Sequence, residues 1–264
     1  MNTIVLLFFA GSISASCVYD SRALIVNSYL SEKREKNGDL RCDQCLQDCT
    51  ALQQVLTTMP SEEEAMIGRQ VPLVPENFHH FLQTPILAPF PAHLETMIIG
   101  MGCFWGVERL LYKQSGVFST IVGYGGGSTP NPSYEEVYTG YTGHSELVSI
   151  QYDPRVTSYQ KLLKVFWENH DPTQGMQQGE DLGTQYRSII MPVNQDQQQI
   201  AFQSRNLFQR ELYKTGLGTI TTKIIPATAF FNAETYHQQY LSKRPAGYCG
   251  VAGTGVLLPE SFTE

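Results

Sequence analysis

No stretch of the chain approaches the roughly 20 consecutive apolar residues that a helix needs to cross a bilayer, so no membrane span is expected. Lysine and arginine form no block, and the formal net charge is -7. A surface of that sign repels phosphate backbones, which argues against nucleic acid as a partner. No internal repeat is visible, which removes solenoids and propellers. The Gly-rich run 123–127 lacks the spacing and the following helix of a nucleotide cradle, so it reads as a loop. Charged residues make up only 16% and hydrophobic residues 42%, a globular balance rather than a disordered one. With 264 residues there is room for one large domain or two small ones, and the 22 glycines and 14 prolines imply much loop and turn.

The N-terminal part divides by composition. Thr3 to Gly11 is a short apolar run followed by Ser12, Ser14, Ala15 and Ser16, the pattern of a secretory signal. No basic residue precedes it, and Arg22 is the first. Residues 1–17 are therefore read as a signal peptide and the protein as secreted or in the secretory pathway, with an organelle after N-terminal cleavage as the alternative. Residues 18–70 are polar and without a sustained apolar face, a loosely structured extension with a short helix near Thr50 to Met59. Residues 71–264 form the expected catalytic domain. Its first part, 71–93, holds Pro72, Pro75, Pro85, Pro89 and Pro91 and reads as an extended wrap.

Strong periodicity runs from Leu94 to about Leu241. Met97 to Met101 reads as a buried strand, Phe104 to Gln114 as a helix, and Val117 to Val122 as a strand before a loop from Gly123 to Ser133. Ser145 to Tyr152 alternates, with Glu146, Val148, Ile150 and Tyr152 on one face. Ser158 to His170 and Asn194 to Tyr213 read as helices, Gln185 to Met191 and Thr219 to Pro226 as strands, and Glu234 to Leu241 as a short helix. A Gly-rich tail closes the chain. The fold class is α+β: an α/β two-layer sandwich with a mixed sheet, flanking helices and long loops.

Six cysteines are present: Cys17, Cys42, Cys45, Cys49, Cys103 and Cys249. With Cys17 at the cleavage region the remainder is odd, so a fully paired disulfide framework is not assumed. Cys42, Cys45 and Cys49 offer three soft ligands and no evident fourth, so a disulfide is preferred to a metal. Cys103 follows a strand and Gly102 at the first turn of a helix. Unpaired N–H groups and the helix dipole there favour a thiolate, while a buried inert cysteine is equally compatible with the position alone.

Around Cys103 the residues GCFWGVERL (102–110) resemble the active-site signature of the peptide methionine sulfoxide reductase A family. NPSYEEV (131–137), TGHSE (142–146), FWENHDPTQ (166–174), DLGTQYRS (181–188) and GYCG (247–250) resemble that family's blocks in the same order. The quoted blocks run from 102 to 250, and the resemblance is read over about 71 to 259. The resemblance implies reduction of methionine S-sulfoxide, free and in oxidised proteins, with Cys103 as nucleophile passing through a sulfenic acid. It implies Cys249 as the resolving thiol, in a tail flexible enough to reach the site. Thioredoxin or another dithiol would reduce the Cys103–Cys249 bond, with no bound cofactor, no metal, and a monomer expected.

A sulfoxide oxygen leaves poorly unless it is protonated, so the nucleophile needs an acid opposite it. Glu146 matches the family's carboxylate, and its place on an apolar strand face supports the match. Burial would disfavour its charge and make it a proton donor near neutral pH. Tyr134 and Tyr186 match the family's hydrogen-bond donors to the sulfoxide oxygen, and Asp181 a carboxylate that orders the pocket. Phe104 and Trp105 would hold the substrate's methyl group. His144 should face away from Glu146, and it and His170 are read as structural. Two departures stand out. Leu257 occupies the position of a later family cysteine, so Cys103–Cys249 should itself meet the reductant, and Tyr138 replaces a frequent cysteine. The rival readings are a cysteine hydrolase with His144 as base, and a binding domain with an inert Cys103.

Overall fold

The computed structural model describes residues 53–263. The signal-peptide region, Cys17, Cys42, Cys45 and Cys49, and most of the polar extension lie outside the described residues.

Eight strands are described: β1 (Glu95–Met101), β2 (Val117–Gly125), β3 (Ser145–Tyr152), β4 (Gln177–Gln178), β5 (Asp181–Leu182), β6 (Ser188–Ile190), β7 (Lys223–Ile224) and β8 (Phe230–Asn232). Six of them form one sheet in the order β7-β6-β1-β3-β2-β8, and β4 with β5 makes a separate hairpin. The large sheet is mixed, because β6 pairs β7 in parallel and its other pairings are antiparallel. Residues 53–57 are helical, where a short helix was expected near Thr50 to Met59, and the later helices are α1 (Phe104–Leu111), α2 (Tyr134–Tyr138), α3 (Tyr159–Glu168), α4 (Gln195–Lys214) and α5 (Tyr240–Lys243). The α+β architecture expected from the sequence is what is found.

Side-chain alternation sorts the sheet into two faces. Met97, Ile99 and Met101 of β1 and Val148, Ile150 and Tyr152 of β3 join Phe104, Val107 and Leu111 of α1, Leu163 and Phe166 of α3 and Phe208 of α4 in the main core. Ile98 and Leu147 point the other way, into a small cluster with Ile189 and Met191. Polar caps start the helices: Ser158 accepts from Lys161 N–H and Asn194 from Gln197 N–H, while Ser133 and Glu136 close a capping box on α2.

Several boundaries differ from expectation. β2 continues through Gly125 instead of yielding to a loop at Gly123, because β8 pairs with it there. A Cβ on Gly123 would lie 2.3 Å from the Phe231 carbonyl oxygen, so glycine marks a close strand approach and not a turn. The Thr219 to Pro226 strand shrinks to Lys223–Ile224, and Gln185 to Met191 divides into a 3-10 turn at Thr184–Tyr186 and the short β6. The Glu234 to Leu241 helix is replaced by turns, with helix only at Tyr240–Lys243.

The described part of the polar extension is seated rather than loose. Leu56 is buried, Met66 N–H donates to the Tyr141 carbonyl, and Arg69 and Asn131 exchange side-chain-to-backbone hydrogen bonds of 2.9 and 2.8 Å.

Antiparallel order brings the C-terminal ends of β1 and β2 and the N-terminal ends of β3 and β6 to one edge of the sheet. Cys103 follows β1 there, Glu146 opens β3, and Tyr186 precedes β6.

Candidate active site

Cys103 is the N-cap of α1, with extended backbone (φ -54°, ψ 117°), so its side chain stands over the unpaired N–H groups of the first turn. Phe104 N–H donates to Glu146 Oε2 at 2.9 Å. The Trp105 and Gly106 N–H groups face the Cys103 sulfur. One helix start thus serves the thiol and the carboxyl together. Glu146 is almost fully buried, opposite Tyr124 in the β2–β3 register.

The thiolate expected at this helix start is not the resting form. Burial first, then the Glu146 charge, with Asp181 adding to them, pushes the Cys103 thiol well above its ordinary range despite the two N–H groups. Burial, with two carboxyl groups close by, outweighs one helix end.

The other candidate residues gather on this edge. Phe104 is buried beneath the site, and Trp105 is partly exposed beside it. Tyr134 begins α2, and its ring centroid lies 4.6 Å from that of His237, which in turn lies 5.1 Å from Phe104 and 5.7 Å from Trp105. Tyr186 is buried in the 3-10 turn, whose carbonyls are anchored by Ser145 Oγ to Gln185 and by Arg187 to Thr184. Asp181 Oδ2 accepts from Tyr248 Oη at 3.1 Å. Cys249 is a free thiol, as is Cys103, and a Cβ on Gly106 would sit only 3.0 Å from Cys249 Sγ. The tail therefore lies against the turn of α1 that follows Cys103. Tyr138 packs near Tyr134, with ring centroids 5.6 Å apart, and Leu257 is exposed.

Both histidines read as structural have their ring nitrogens engaged. His144 Nδ1 accepts from Gly127 N–H and Nε2 bonds the Thr129 carbonyl; His170 bonds the Phe166 carbonyl and Ser188 Oγ. A hydrolase base at His144 is thereby removed. Among the described residues, no group of His, Cys, Asp and Glu is arranged to hold a metal ion, and no helix is long and apolar enough to cross a membrane.

Sequence reasoning missed the residues that frame the site. Glu234 accepts from Tyr134 N–H and Tyr124 Oη, both at 2.9 Å. His237 Nδ1 accepts from Trp105 Nε1 at 3.0 Å. Behind α1, Glu108 is buried and receives hydrogen bonds from Thr120 Oγ1, Gln239 N and Gln239 Nε2. Burial raises the Glu108 carboxyl to about 7, against the hydrogen bonds. Glu108 carried a signal: Phe104, Val107, Glu108 and Leu111 fall at the spacing of one helical face, so a carboxylate there had to be buried. Glu234 and His237 carried none, because their partners lie about 100 residues or more away.

Residues 95–256 match the family model described as peptide methionine sulfoxide reductase. A peptide methionine sulfoxide reductase MsrA from Ectopseudomonas mendocina is 56% identical over 201 residues, 76% of this chain and 92% of that protein. The protein of the same name from Vibrio parahaemolyticus is 55% identical over 205 residues, covering 78% and 97%. Among solved structures, methionine sulfoxide reductase A of Corynebacterium diphtheriae superposes with a TM-score of 0.69 at 42% identity, over 77% of this chain and 100% of that one. Reduced Mxr1 from Saccharomyces cerevisiae gives 0.56 at 32% identity, over 66% and 96%.

Proposed function

The chain belongs to the peptide methionine sulfoxide reductase family and reduces methionine sulfoxide by thiol chemistry, and from that premise we propose that Cys103 is the nucleophile, Glu146 the proton donor and Cys249 the resolving thiol. The observation that carries the reading is the shared helix start: Glu146 bonds the N–H next to Cys103, while Cys249 lies against Gly106 on the same helix.

The Cys103 thiol proton passes to the Glu146 carboxylate, the sulfur attacks the sulfoxide sulfur, and the sulfoxide oxygen takes that proton from Glu146. The hydroxyl then passes from the substrate sulfur to the Cys103 sulfur as the new S–S bond breaks with its electron pair left on the substrate, so methionine leaves reduced and Cys103 becomes a sulfenic acid. Tyr134 and Tyr186 donate hydrogen bonds to the departing oxygen, and Asp181 orders the pocket. Phe104 and Trp105 seat the methyl group. The Cys249 thiol then displaces the oxygen as water and forms the Cys103–Cys249 disulfide. A thioredoxin-like dithiol is oxidised in reducing that bond, returning both thiols. The substrate is the S epimer, free and in oxidised proteins, and repair of such proteins is the role. Delivery to the secretory pathway rests on the Thr3 to Gly11 run, and N-terminal sequencing of mature protein tests it.

Turnover of the separated methionine sulfoxide epimers with dithiothreitol tests the chemistry. Wild type should consume the S epimer alone, and Cys103→Ser should lose roughly 1,000-fold or more. Cys249→Ser should fail mainly with thioredoxin as reductant. A folded wild-type protein that leaves both epimers untouched would sink the proposal.

A further inference from the structure

The segment that carries Cys249 is held on both sides of the cysteine. Before it, Gly247 N–H donates to the Arg244 carbonyl, and a Cβ on Gly247 would lie 2.7 Å from Tyr240 Cε1, so this side is pressed onto α5. After it, the chain runs against the last residue of α3. A Cβ on Gly253 would overlap the Glu168 carbonyl oxygen, which leaves room there for glycine alone. Further on, Glu168 Oε1 accepts the Leu258 N–H at 2.9 Å. Lys164, one turn earlier on α3, lies 3.5 Å from the same oxygen and reaches the Leu258 carbonyl at 3.5 Å and Glu260 Oε1 at 2.6 Å. Glu168 thus meets the tail twice, with its carbonyl at Gly253 and its carboxylate at Leu258.

Residues 248–252 are the strap between these two holds, and Cys249 stands in it against Gly106 of α1. A thiol on a segment tied at two points samples a small volume, so its effective concentration at a nearby sulfur is high. Tied at α5 alone it would sample more, and the encounter would slow. Val256 and Leu258 also sit in the main core, but apolar burial is non-directional and lets a chain shift along the groove it fills. The hydrogen bond from Leu258 N–H is directional. It fixes where the tail leaves α3, and with that the slack in the strap.

We propose that Glu168 is a positioning residue for the resolving step: by fixing the tail beyond Cys249 to the end of α3, it sets how fast Cys249 meets the oxidised Cys103. The inference rests on the reading that Cys249 resolves Cys103. In that step the S–O bond of the sulfenic acid breaks, the S–S bond forms, and the hydroxyl leaves with the Cys249 thiol proton as water. Reduction of the sulfoxide comes before it and does not involve the tail, so the first methionine is released at a rate that Glu168 does not set.

A single turnover of methionine sulfoxide without reductant separates the two steps, with released methionine counted and the sulfenic acid trapped by a dione and followed by mass. Glu168→Ala removes the acceptor and should release methionine within about twofold of wild type, while the sulfenic acid lasts roughly fivefold longer. Glu168→Gln keeps an oxygen for the Leu258 N–H and should stay within about twofold on both steps. Gly253→Ala breaks the other contact from the tail side and should give the Glu168→Ala pattern, which decides the matter if Glu168→Ala does not fold. A sulfenic acid that resolves at the wild-type rate or faster in either alanine variant overturns the proposal. So does a slowing of both steps in equal measure, the mark of general support, and so does a Gln variant as slow as Ala. If wild type forms a sulfenic acid but no Cys103–Cys249 disulfide, it is the resolving assignment of Cys249 that falls, and this inference with it.

Discussion

Burial opposes a thiolate at Cys103, two nearby carboxyl groups add to the opposition, and two N–H groups favour it. Removing the Glu146 charge should therefore make the thiol easier to ionise even as it removes the proton donor. Glu146→Gln is expected to be alkylated by iodoacetamide at pH 8 several-fold faster than wild type, with reductase turnover down about 100-fold. Rate against pH for each protein checks this, and an alkylation rate that does not rise would show that Glu146 does not hold the thiol protonated. Cys103 and Glu146 were legible because their chemistry fixes their residue types, and because Glu146 shares its parity with Val148 and Ile150 of the core. The protonated thiol was not legible. It depends first on how deeply the fold buries the sulfur, with the charge of Asp181 in the β4–β5 hairpin a smaller addition.

The turn at 234–239 shows how an element escapes a pattern. Its apolar spacing suggested a helix, yet Glu234, His237, Gln238 and Gln239 all send side chains to partners in β2, α1 and α2. Those bonds hold Gln239 at φ 47°, a left-handed conformation that a helix excludes. Strands and the long helices were read well because apolar periodicity decides them; this turn is decided by polar bonds over long range. The tail is a second case. Gly106 is a helical position that Val251 and Cys249 approach closely, with a notional Cβ 2.6 Å from Val251 Cγ2 and 3.0 Å from Cys249 Sγ. Gly106→Ala should thus push the tail outward while strengthening α1 slightly. We expect the first methionine to be released at the wild-type rate and the sulfenic acid to persist roughly tenfold longer. Trapping the sulfenic acid with a dione and following its mass over time measures this; disulfide formation at the wild-type rate would show that the tail does not act from its resting place.

Across the whole molecule, buried titratable groups tie the segments together, and they do so with opposite signs. His79 in the wrap accepts from Phe81 and Leu82 N–H, bonds Thr120 Oγ1, and through it reaches Glu108 on α1. Burial holds His79, His170 and His237 each down to about 4, and raises Glu108 to about 7. Between about pH 6.5 and 4 the unfolded histidines bind protons that the folded ones refuse, so stability falls with falling pH. Glu108 acts the other way: from about 7 down to its unfolded value the folded protein holds a proton that the unfolded chain does not, and stability rises. Three histidines against one carboxyl leave net proton uptake on unfolding, so the melting temperature should drop steadily from pH 6.5 towards 4.5. Glu108→Gln removes the opposing contribution and should steepen that drop, though its amide meets three donors with one acceptor and lowers stability at every pH. Calorimetry at pH 7.5, 6 and 5 on both proteins distinguishes these effects: a common downward shift reports the lost hydrogen bonds, and a change of slope reports the lost titration. A melting temperature that held level from 6.5 to 4.5 would mean that water reaches these histidines before the fold opens.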